Sequence, residues 1–336
     1  MCVQSIIIRG RLAPSPTGRL HLGNAFAFLC AWLDARALGG ELVLRMEDID
    51  PARSRQEFAD AILKDLVWLG INWSEGPDKG GPFMPYRQSD RREKYTAMLD
   101  FLTERGLVYL CYCTRKELRS LASAPHVGDE GTPYPGTCRS LSQSERACLE
   151  HDGRRACIRL NTRAALAFLQ EKEDAFSFTD AVLGFQNFTV QDVGGDFALR
   201  RSDGVIAYQL AVSADDAAMN INRVVRGDDL LLSTPRQLLL LRLLRALPPT
   251  YAHIPLLHDH EGERLAKRHA SLELAALRQA GVAPEAVTGY LGFLAGWLDR
   301  PRKASPKELL PSFSLVALKG RKLMIPENIV GLLAHM

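Results

Sequence analysis

The chain has 336 residues, 46% of them hydrophobic and 24% charged, with a formal net charge of +3. That length and apolar content can bury a sizeable core, in two domains or one domain with an insertion, and exclude disorder as the main state. So slight an excess of charge allows a nucleic-acid partner only through a local basic surface, and seven cysteines without a charged, cleavable leader point to a cytoplasmic protein rather than a disulfide-framed secreted one.

The first stretch, SIIIRGRLAPSP at 5–16, predicts a β-branched strand that stops by Pro14, since proline cannot donate to a central ladder. A loop bearing Gly18 and Gly23 follows. From Asn24, AFAFLCAWLDARALGG has helix length, apolar residues all round and a Gly39–Gly40 stop, which predicts a buried helix. ELVLRMEDIDP then alternates from Leu42 to Glu47, predicting a second strand that ends in an acidic loop closed by Pro51. Strand, helix and strand in that order predict an α/β chain with a parallel, Rossmann-like sheet. Its ligand belongs at the carboxyl ends of the strands.

Helices are expected at 53–70, 88–106 and 115–123, the first two separated by the loop GPDKGGPFMPYRQ. Between 124 and 137 the composition turns to Gly, Pro, Ser and Thr, a surface excursion flanked by cysteines. RRACIRLN and the stretch from Phe185 to Leu231 read as strands and turns, with Gly194–Gly195 and Asp203–Gly204 as turn signals. Thr234 reads as an N-cap with Pro235 at the first helical position. LLLLRLLRAL at 238–247 is broken by Arg242 and Arg245 and falls short of the ~20 residues of a membrane span, so it reads as buried helix. The rest, to about residue 310, reads as helical, and the last twenty residues carry no clear signal.

The loop RLAPSPTGRLHLGN, residues 11–24, is the first chemical feature. A glycine-bearing loop between a strand and a helix presents backbone N–H groups and a helix N-terminus, which favour phosphate. Pro14 and Pro16 stiffen the approach, and His21 and Asn24 can place side-chain donors beside a triphosphate. Taken alone, HLG is more often a tight turn into a helix with a capped or packed histidine.

LRMEDIDPAR, WSEGPDKGGPFMPYRQSDR, GVIAYQLAVSADD, VVRGDDLLLSTPRQ and GERLAKRHAS follow that loop in one order over residues 11–271. Together they resemble the catalytic half of the class I glutamyl-tRNA synthetases. The resemblance implies a Rossmann-like class I aminoacyl-tRNA synthetase catalytic domain with a zinc-binding insertion and a C-terminal helical part. Here the halves of the catalytic domain would be 5–110 and 191–271, the insertion 111–190, and the C-terminal part and tail 272–336.

The same resemblance implies ATP against Pro14, Gly18, His21, Gly23, Asn24 and Lys267. RLAKR at 264–268 stands where the family has its lysine loop, with Arg264 in the first lysine position, Ala266 where serine is common, and Lys267 in the second. Without the other motifs it would read as a solvated basic turn. Glutamate would lie along Arg11, Leu12, Ala13, Pro14 and Ser15, with Arg11 and Arg226 on its side-chain carboxylate, Glu47 on its ammonium and Tyr208 lining the pocket. An arginine fork suits an anion and leaves donors mismatched against a neutral amide. Each of these has a plainer alternative when isolated: Glu47 and Asp48 as surface caps or pairs, Tyr208 as core, Arg226 as a partner of Asp228.

The implied reaction is attack of the glutamate α-carboxylate on the α-phosphorus of ATP, with Mg²⁺, giving glutamyl-adenylate and pyrophosphate. Such chemistry needs alignment and charge neutralisation more than a protein nucleophile, and the sequence offers no Ser-His-Asp or Cys-His arrangement that needs explaining.

Cys111, Cys113 and Cys138 supply three zinc-type ligands, and His126 or the Tyr134 phenolate would be the fourth; buried, unligated thiols are an equal reading of the spacing alone. A short paralogous branch of the family carries C-x-C followed by Y-x-x-x-C at this point, matched by Cys111, Cys113, Tyr134 and Cys138 with a longer intervening loop. That branch also continues only briefly past the lysine loop, as here, where 65 residues follow Ser271. It implies one Zn²⁺, tRNA-independent activation of L-glutamate, and transfer to the cyclopentene diol of queuosine in the anticodon loop of tRNA(Asp) by a monomer. Single-stranded loop bases are what proteins reach most easily in RNA, and a module gripping the anticodon elsewhere would obstruct one entering the active site. The alternatives are a truncated glutamyl-tRNA synthetase charging tRNA(Glu) and a non-catalytic glutamate- or nucleotide-binding paralogue, the latter suggested by Arg264 and Ala266.

Overall fold

The computed structural model describes residues 7–120, 134–171, 176–265 and 272–336. Strand β1 (Arg9–Leu12) leads through the 13–21 loop into helix α1 (Leu22–Ala37) and back to β2 (Glu41–Leu44), which pairs with β1 in parallel from Arg9↔Glu41 to Leu12↔Leu44. The α1 helix buries Leu22, Phe26, Leu29, Trp32 and Leu33, as a helix apolar all round must. Its stop is steric as well as conformational: Gly39 has φ +66°, and a Cβ on Gly40 would stand 2.5 Å from the Ile8 carbonyl oxygen.

Beyond β2 come α2 (Gln56–Trp68), a 3₁₀ turn (Gln88–Asp90), α3 (Arg92–Glu104), β3 (Val108–Cys111), α4 (Arg115–Ser120), α5 (Gln143–His151), β4 (Cys157–Leu160) and α6 (Thr162–Leu169). The predicted helix at 115–123 is described as far as Ser120; His126 and most of the 124–137 excursion lie outside the described residues. Next are β5 (Phe176–Asp180), β6 (Gly184–Phe188), β7 (Ala198–Arg200), α7 (Tyr208–Ala218), β8 (Arg223–Gly227), α8 (Ser233–Leu243), β9 (Thr250–Ile254) and β10 (Leu257–His258). The chain closes with α9 (Leu274–Gln279), α10 (Pro284–Leu294), α11 (Pro306–Leu309), β11 (Leu323–Met324) and α12 (Ile329–His335).

The four-stranded sheet runs β6-β5-β9-β8, with β9 parallel to both β5 and β8 and β6 antiparallel to β5. The head of β8 is tied to β1, because the Asn222 N–H donates to the Arg9 carbonyl at 3.1 Å and the Arg9 N–H to Asn222 Oδ1 at 2.7 Å. A separate antiparallel sheet, β3-β4-β7, carries the cysteine region. The main core joins Leu12, Phe26 and Leu44 to Ile254, Leu291 and Leu318, so the C-terminal helices close the same core that the first strand opens.

Three expectations are corrected. The stretch from Phe185 to Leu231 is not strands and turns throughout: it contains the helix α7, whose consecutive buried residues from Gln209 to Ser213 leave no one-sided apolar stripe to mark it as helix. Residues 250–258 are not helical: β9 is a central parallel strand whose TYAHI run is β-branched and aromatic, bounded by Pro249 and Pro255. Such a short buried run has no periodicity to separate it from helix. Nor is Thr234 an N-cap. The backbone is already right-handed at Leu232 (φ −70°, ψ −13°), which precedes α8 directly, and the Thr234 hydroxyl is engaged in the core. Pro235 still falls in the first turn, where the missing N–H costs nothing. Among the described residues, no helix is long and apolar enough to cross a membrane.

Candidate active site

A cavity of about 570 Å³ opens at the carboxyl ends of β1, β2, β8 and β9, where the parallel arrangement places a ligand. Arg11, Ala13, Pro14, Ser15, Gly18, His21, Gly23, Asn24, Glu47, Tyr208 and Arg226 all line it. Leu12 does not: strand alternation turns it from the side of Arg11 into the main core, fully buried. Arg264 lines the cavity as well, while Ala266 and Lys267 lie outside the described residues.

His21 is the N-cap of α1. Its Nδ1 accepts the Gly23 N–H at 3.1 Å, and its own N–H donates to Asn24 Oδ1 at 3.1 Å, a reciprocal capping box. The plain reading of HLG as a capped turn and the binding reading therefore coexist: the cap fixes the imidazole at the positive end of a buried helix, on the cavity wall. Glycine at 23 is part of the device, since a Cβ there would lie 2.9 Å from His21 Cε1.

Two arginines reach the opposite end. Arg11 on β1 donates from Nη1 to the Val225 carbonyl at 3.3 Å; its buried Nε has no hydrogen-bond partner among the described residues, and Asp216 Oδ1 stands 4.0 Å away. Burial lowers its pKa, with Asp216 pulling the other way. Arg226 on β8 donates from Nε to His253 Nε2 at 3.1 Å, from Nη1 to Gln237 Oε1 at 2.8 Å, and from Nη2 to Thr234 Oγ1 at 2.7 Å and the Leu230 carbonyl at 3.3 Å. Those partners, rather than Asp228, hold it.

Glu47 is buried, not a surface cap. Its Oε1 accepts from Arg45 Nη2 at 2.9 Å and Nε at 3.3 Å, while Arg45 Nη1 donates to Asp216 Oδ1 at 2.6 Å. Burial raises the Glu47 pKa above its ordinary value, and Arg45 opposes the rise. Asp48 takes the Ser89 N–H and hydroxyl, each at 2.9 Å, and so ties the acidic loop to the 3₁₀ turn. Tyr208 opens α7 on the cavity wall.

Sequence reasoning missed the charges behind this wall. Arg45, fully buried, lies between Glu47, Asp215 and Asp216, and Asp215 also receives Arg91 Nε at 2.6 Å and the Tyr95 hydroxyl at 2.9 Å. The available sign was an arginine inside an apolar strand run together with paired aspartates inside a helix, since buried charges require partners.

At the edge of the β3-β4-β7 sheet the Sγ atoms of Cys111, Cys113 and Cys138 all lie within 4.8 Å of one another, a group able to hold a metal ion. The Tyr134 hydroxyl stands 3.4 Å from Cys111 Sγ and 3.8 Å from Cys113 Sγ, and it accepts the Cys138 N–H at 2.8 Å. A tetrahedron with Zn–S lengths near 2.3 Å has ligands about 3.8 Å apart, so the three thiolates fit zinc in type and spacing, with the Tyr134 hydroxyl beside them. Cys157 faces Cys111 across the β3-β4 ladder, and the Arg159 guanidinium covers the Tyr134 ring at 4.1 Å. Hydrogen bonding from Cys157 and then Tyr134 holds the Cys111 thiol below its usual range, against its burial.

Comparison with known proteins gives a consistent picture. Residues 7–308 match the family described as tRNA synthetases class I (E and Q), catalytic domain. The chain is 55% identical over 324 residues to a protein of Nitratidesulfovibrio vulgaris named Glutamyl-Q tRNA(Asp) synthetase, covering 96% of this chain and 97% of that one. It is 48% identical to the protein of the same name from Symbiobacterium thermophilum, covering 97% and 98%. The crystal structure of a glutamate-tRNA synthetase from Elizabethkingia anophelis superposes with a TM-score of 0.78 at 27% identity, over 96% of this chain and 69% of that one.

Proposed function

The chain belongs to the class I tRNA synthetases of the glutamate and glutamine group, and on that footing we propose that it activates L-glutamate with ATP and transfers the glutamyl group to queuosine in the anticodon loop of tRNA(Asp). The observation that carries the glutamate step is the meeting of Arg11, Arg226, Glu47 and Tyr208 in one cavity with the capped N-terminus of α1. Full-length identity to two proteins named for the queuosine reaction supports the acceptor.

In this reading the arginines take the side-chain carboxylate, Glu47 takes the ammonium, and the α-carboxylate is left directed at the nucleotide. An oxygen of that carboxylate attacks the α-phosphorus, the bond to the bridging oxygen breaks, and pyrophosphate leaves. The α1 N-terminus, His21 and Lys267 offset the charge that builds on the phosphates, and Mg²⁺ supplies further neutralisation when bound with ATP. In the second step a hydroxyl of the queuosine cyclopentene diol attacks the glutamyl carbonyl and AMP departs. Cys111, Cys113, Cys138 and Tyr134 would hold one Zn²⁺, which would clamp β3 to the 134–138 segment.

The test is glutamate-dependent ATP–pyrophosphate exchange with no RNA present. Exchange with glutamate and not with glutamine is the expected result; its absence, with or without tRNA, would refute activation.

A further inference from the structure

Behind the cavity wall, three neighbouring strands put a carboxylate, an imidazole and a guanidinium in line. Asp180 closes β5, His253 lies on β9, and Arg226 lies beside His253 in the parallel β8-β9 register. The Asp180 and His253 side chains are fully buried, and Arg226 keeps 5% exposure. His253 Nδ1 stands 2.6 Å from Asp180 Oδ2, and its Nε2 faces Arg226 Nε at 3.1 Å and Thr234 Oγ1 at 3.0 Å.

The chemistry of the neighbours fixes the proton. Asp180 Oδ1 accepts the N–H groups of Val182 and Leu183 at 2.9 Å each, and Oδ2 accepts the His253 N–H at 3.0 Å. Burial alone would raise the Asp180 pKa, but the bonds from His253, Leu183 and Val182 outweigh it and hold it below the ordinary carboxylate value. An ionised Asp180 requires hydrogen on His253 Nδ1, and the guanidinium, which can only donate, requires an acceptor at Nε2. Burial also holds the imidazole pKa down against the pull of Asp180. A neutral His253 with its proton on Nδ1 satisfies both sides.

Thr234, His253 and Asp180 have the connectivity of a nucleophile, base and orienting acid. Thr234 is fully buried, however, and Arg226 Nη2 already occupies its hydroxyl at 2.7 Å. The histidine acts on the arginine instead. Four hydrogen bonds fix the guanidinium, which leaves an Nη1 hydrogen of the five such groups for a ligand.

We propose that Asp180 and His253 are positioning residues for glutamate selection: the Asp180-held imidazole anchors Arg226 through Nε, so that the remaining guanidinium hydrogen meets the substrate side chain in a single pose. This rests on Arg226 reading the glutamate carboxylate, and the test separates the two statements.

Asp180→Asn is the informative change. Oδ1 stays a carbonyl because it accepts the Val182 and Leu183 N–H groups and stands 3.2 Å from the His253 N–H, so the amide nitrogen replaces Oδ2, gives up that oxygen's bond from the His253 N–H, and donates to His253 Nδ1. The imidazole must then carry hydrogen on Nε2, against the Arg226 N–H. ATP–pyrophosphate exchange is measured with glutamate and with glutamine for the wild type, Arg226→Ala, Asp180→Asn, His253→Leu and His253→Gln. Asp180→Asn and His253→Leu should each raise KM for glutamate on the order of tenfold or more and narrow the glutamate-to-glutamine ratio of kcat/KM, with a smaller change in kcat. His253→Gln, whose side-chain oxygen can stand near the former Nε2, should recover part of the preference lost in His253→Leu.

An unchanged preference in Arg226→Ala overturns the reading of that arginine and the positioning role with it. A preference lost in Arg226→Ala but kept in Asp180→Asn and His253→Leu overturns the positioning role alone. Since buried variants can unfold, the imidazole ¹⁵N spectrum of the wild type, with the resonance identified by its loss in His253→Gln, gives a second readout. A neutral ring protonated on Nδ1 is expected at neutral pH, and an imidazolium or an Nε2–H ring overturns the proposal.

Discussion

At the scale of single residues, the site separates groups that meet the ligand from groups that hold them. Lys267 follows Arg264, which lines the cavity, and should stabilise the leaving pyrophosphate. Lys267→Ala is expected to slow glutamate-dependent exchange by roughly 10²-fold or more, and near-wild-type exchange would remove it from the mechanism. In the proposed role Glu47 would hold the glutamate ammonium only when ionised, and burial raises its pKa. As pH falls, KM for glutamate should therefore begin to rise above the ordinary carboxylate range; Glu47→Gln should have a high KM at neutral pH and lose this acid limb. An acid limb that survives the substitution would assign it to another group. That Arg11, Glu47, Tyr208 and Arg226 share one cavity is legible in the sequence only from the joint order of their motifs, since each has a plainer reading in isolation. Arg45, Asp216 and His253 were not, because their meaning lies in partners distant along the chain: Arg45 meets Asp216 at a separation of 171 residues, and His253 meets Asp180 at 73.

At the scale of elements, strand–loop–helix–strand at the N-terminus follows from local signals that agree with one another: the prolines, the capping His21 and Asn24, and the Gly39–Gly40 stop. Ile7 and Ile8 of the β-branched run, however, precede β1, and the strand itself is Arg9–Leu12. Gly40→Ala should destabilise the protein by about 1–3 kcal/mol through the contact with the Ile8 carbonyl, seen as a fall in Tm, and an unchanged Tm would mean that the β1-β2 edge yields freely. Strand β9 was illegible because its five residues are nearly all buried, so neither alternation nor helical spacing marks them. Thr234 misled because a threonine before proline resembles a cap, whereas its hydroxyl serves Arg226 in the core. Cys138→Ser should lose bound zinc and expose the 134–138 segment to protease while leaving glutamate-dependent exchange intact. One equivalent of zinc retained in that variant would contradict the proposed ligand set.

At the scale of the whole molecule, one core binds the two parts of the parallel framework and the C-terminal helices, so the cavity is walled by segments far apart in sequence. The sequence motifs reveal that cavity only when combined, and physics alone does not read the RNA acceptor from them. The most direct measurement is transfer of labelled glutamate, with ATP, onto purified queuosine-containing tRNA(Asp), the same tRNA lacking queuosine, and tRNA(Glu). Label on the queuosine-containing tRNA(Asp) alone is the expected result. Label on tRNA(Glu), or equally on tRNA(Asp) without queuosine, would contradict the proposed function.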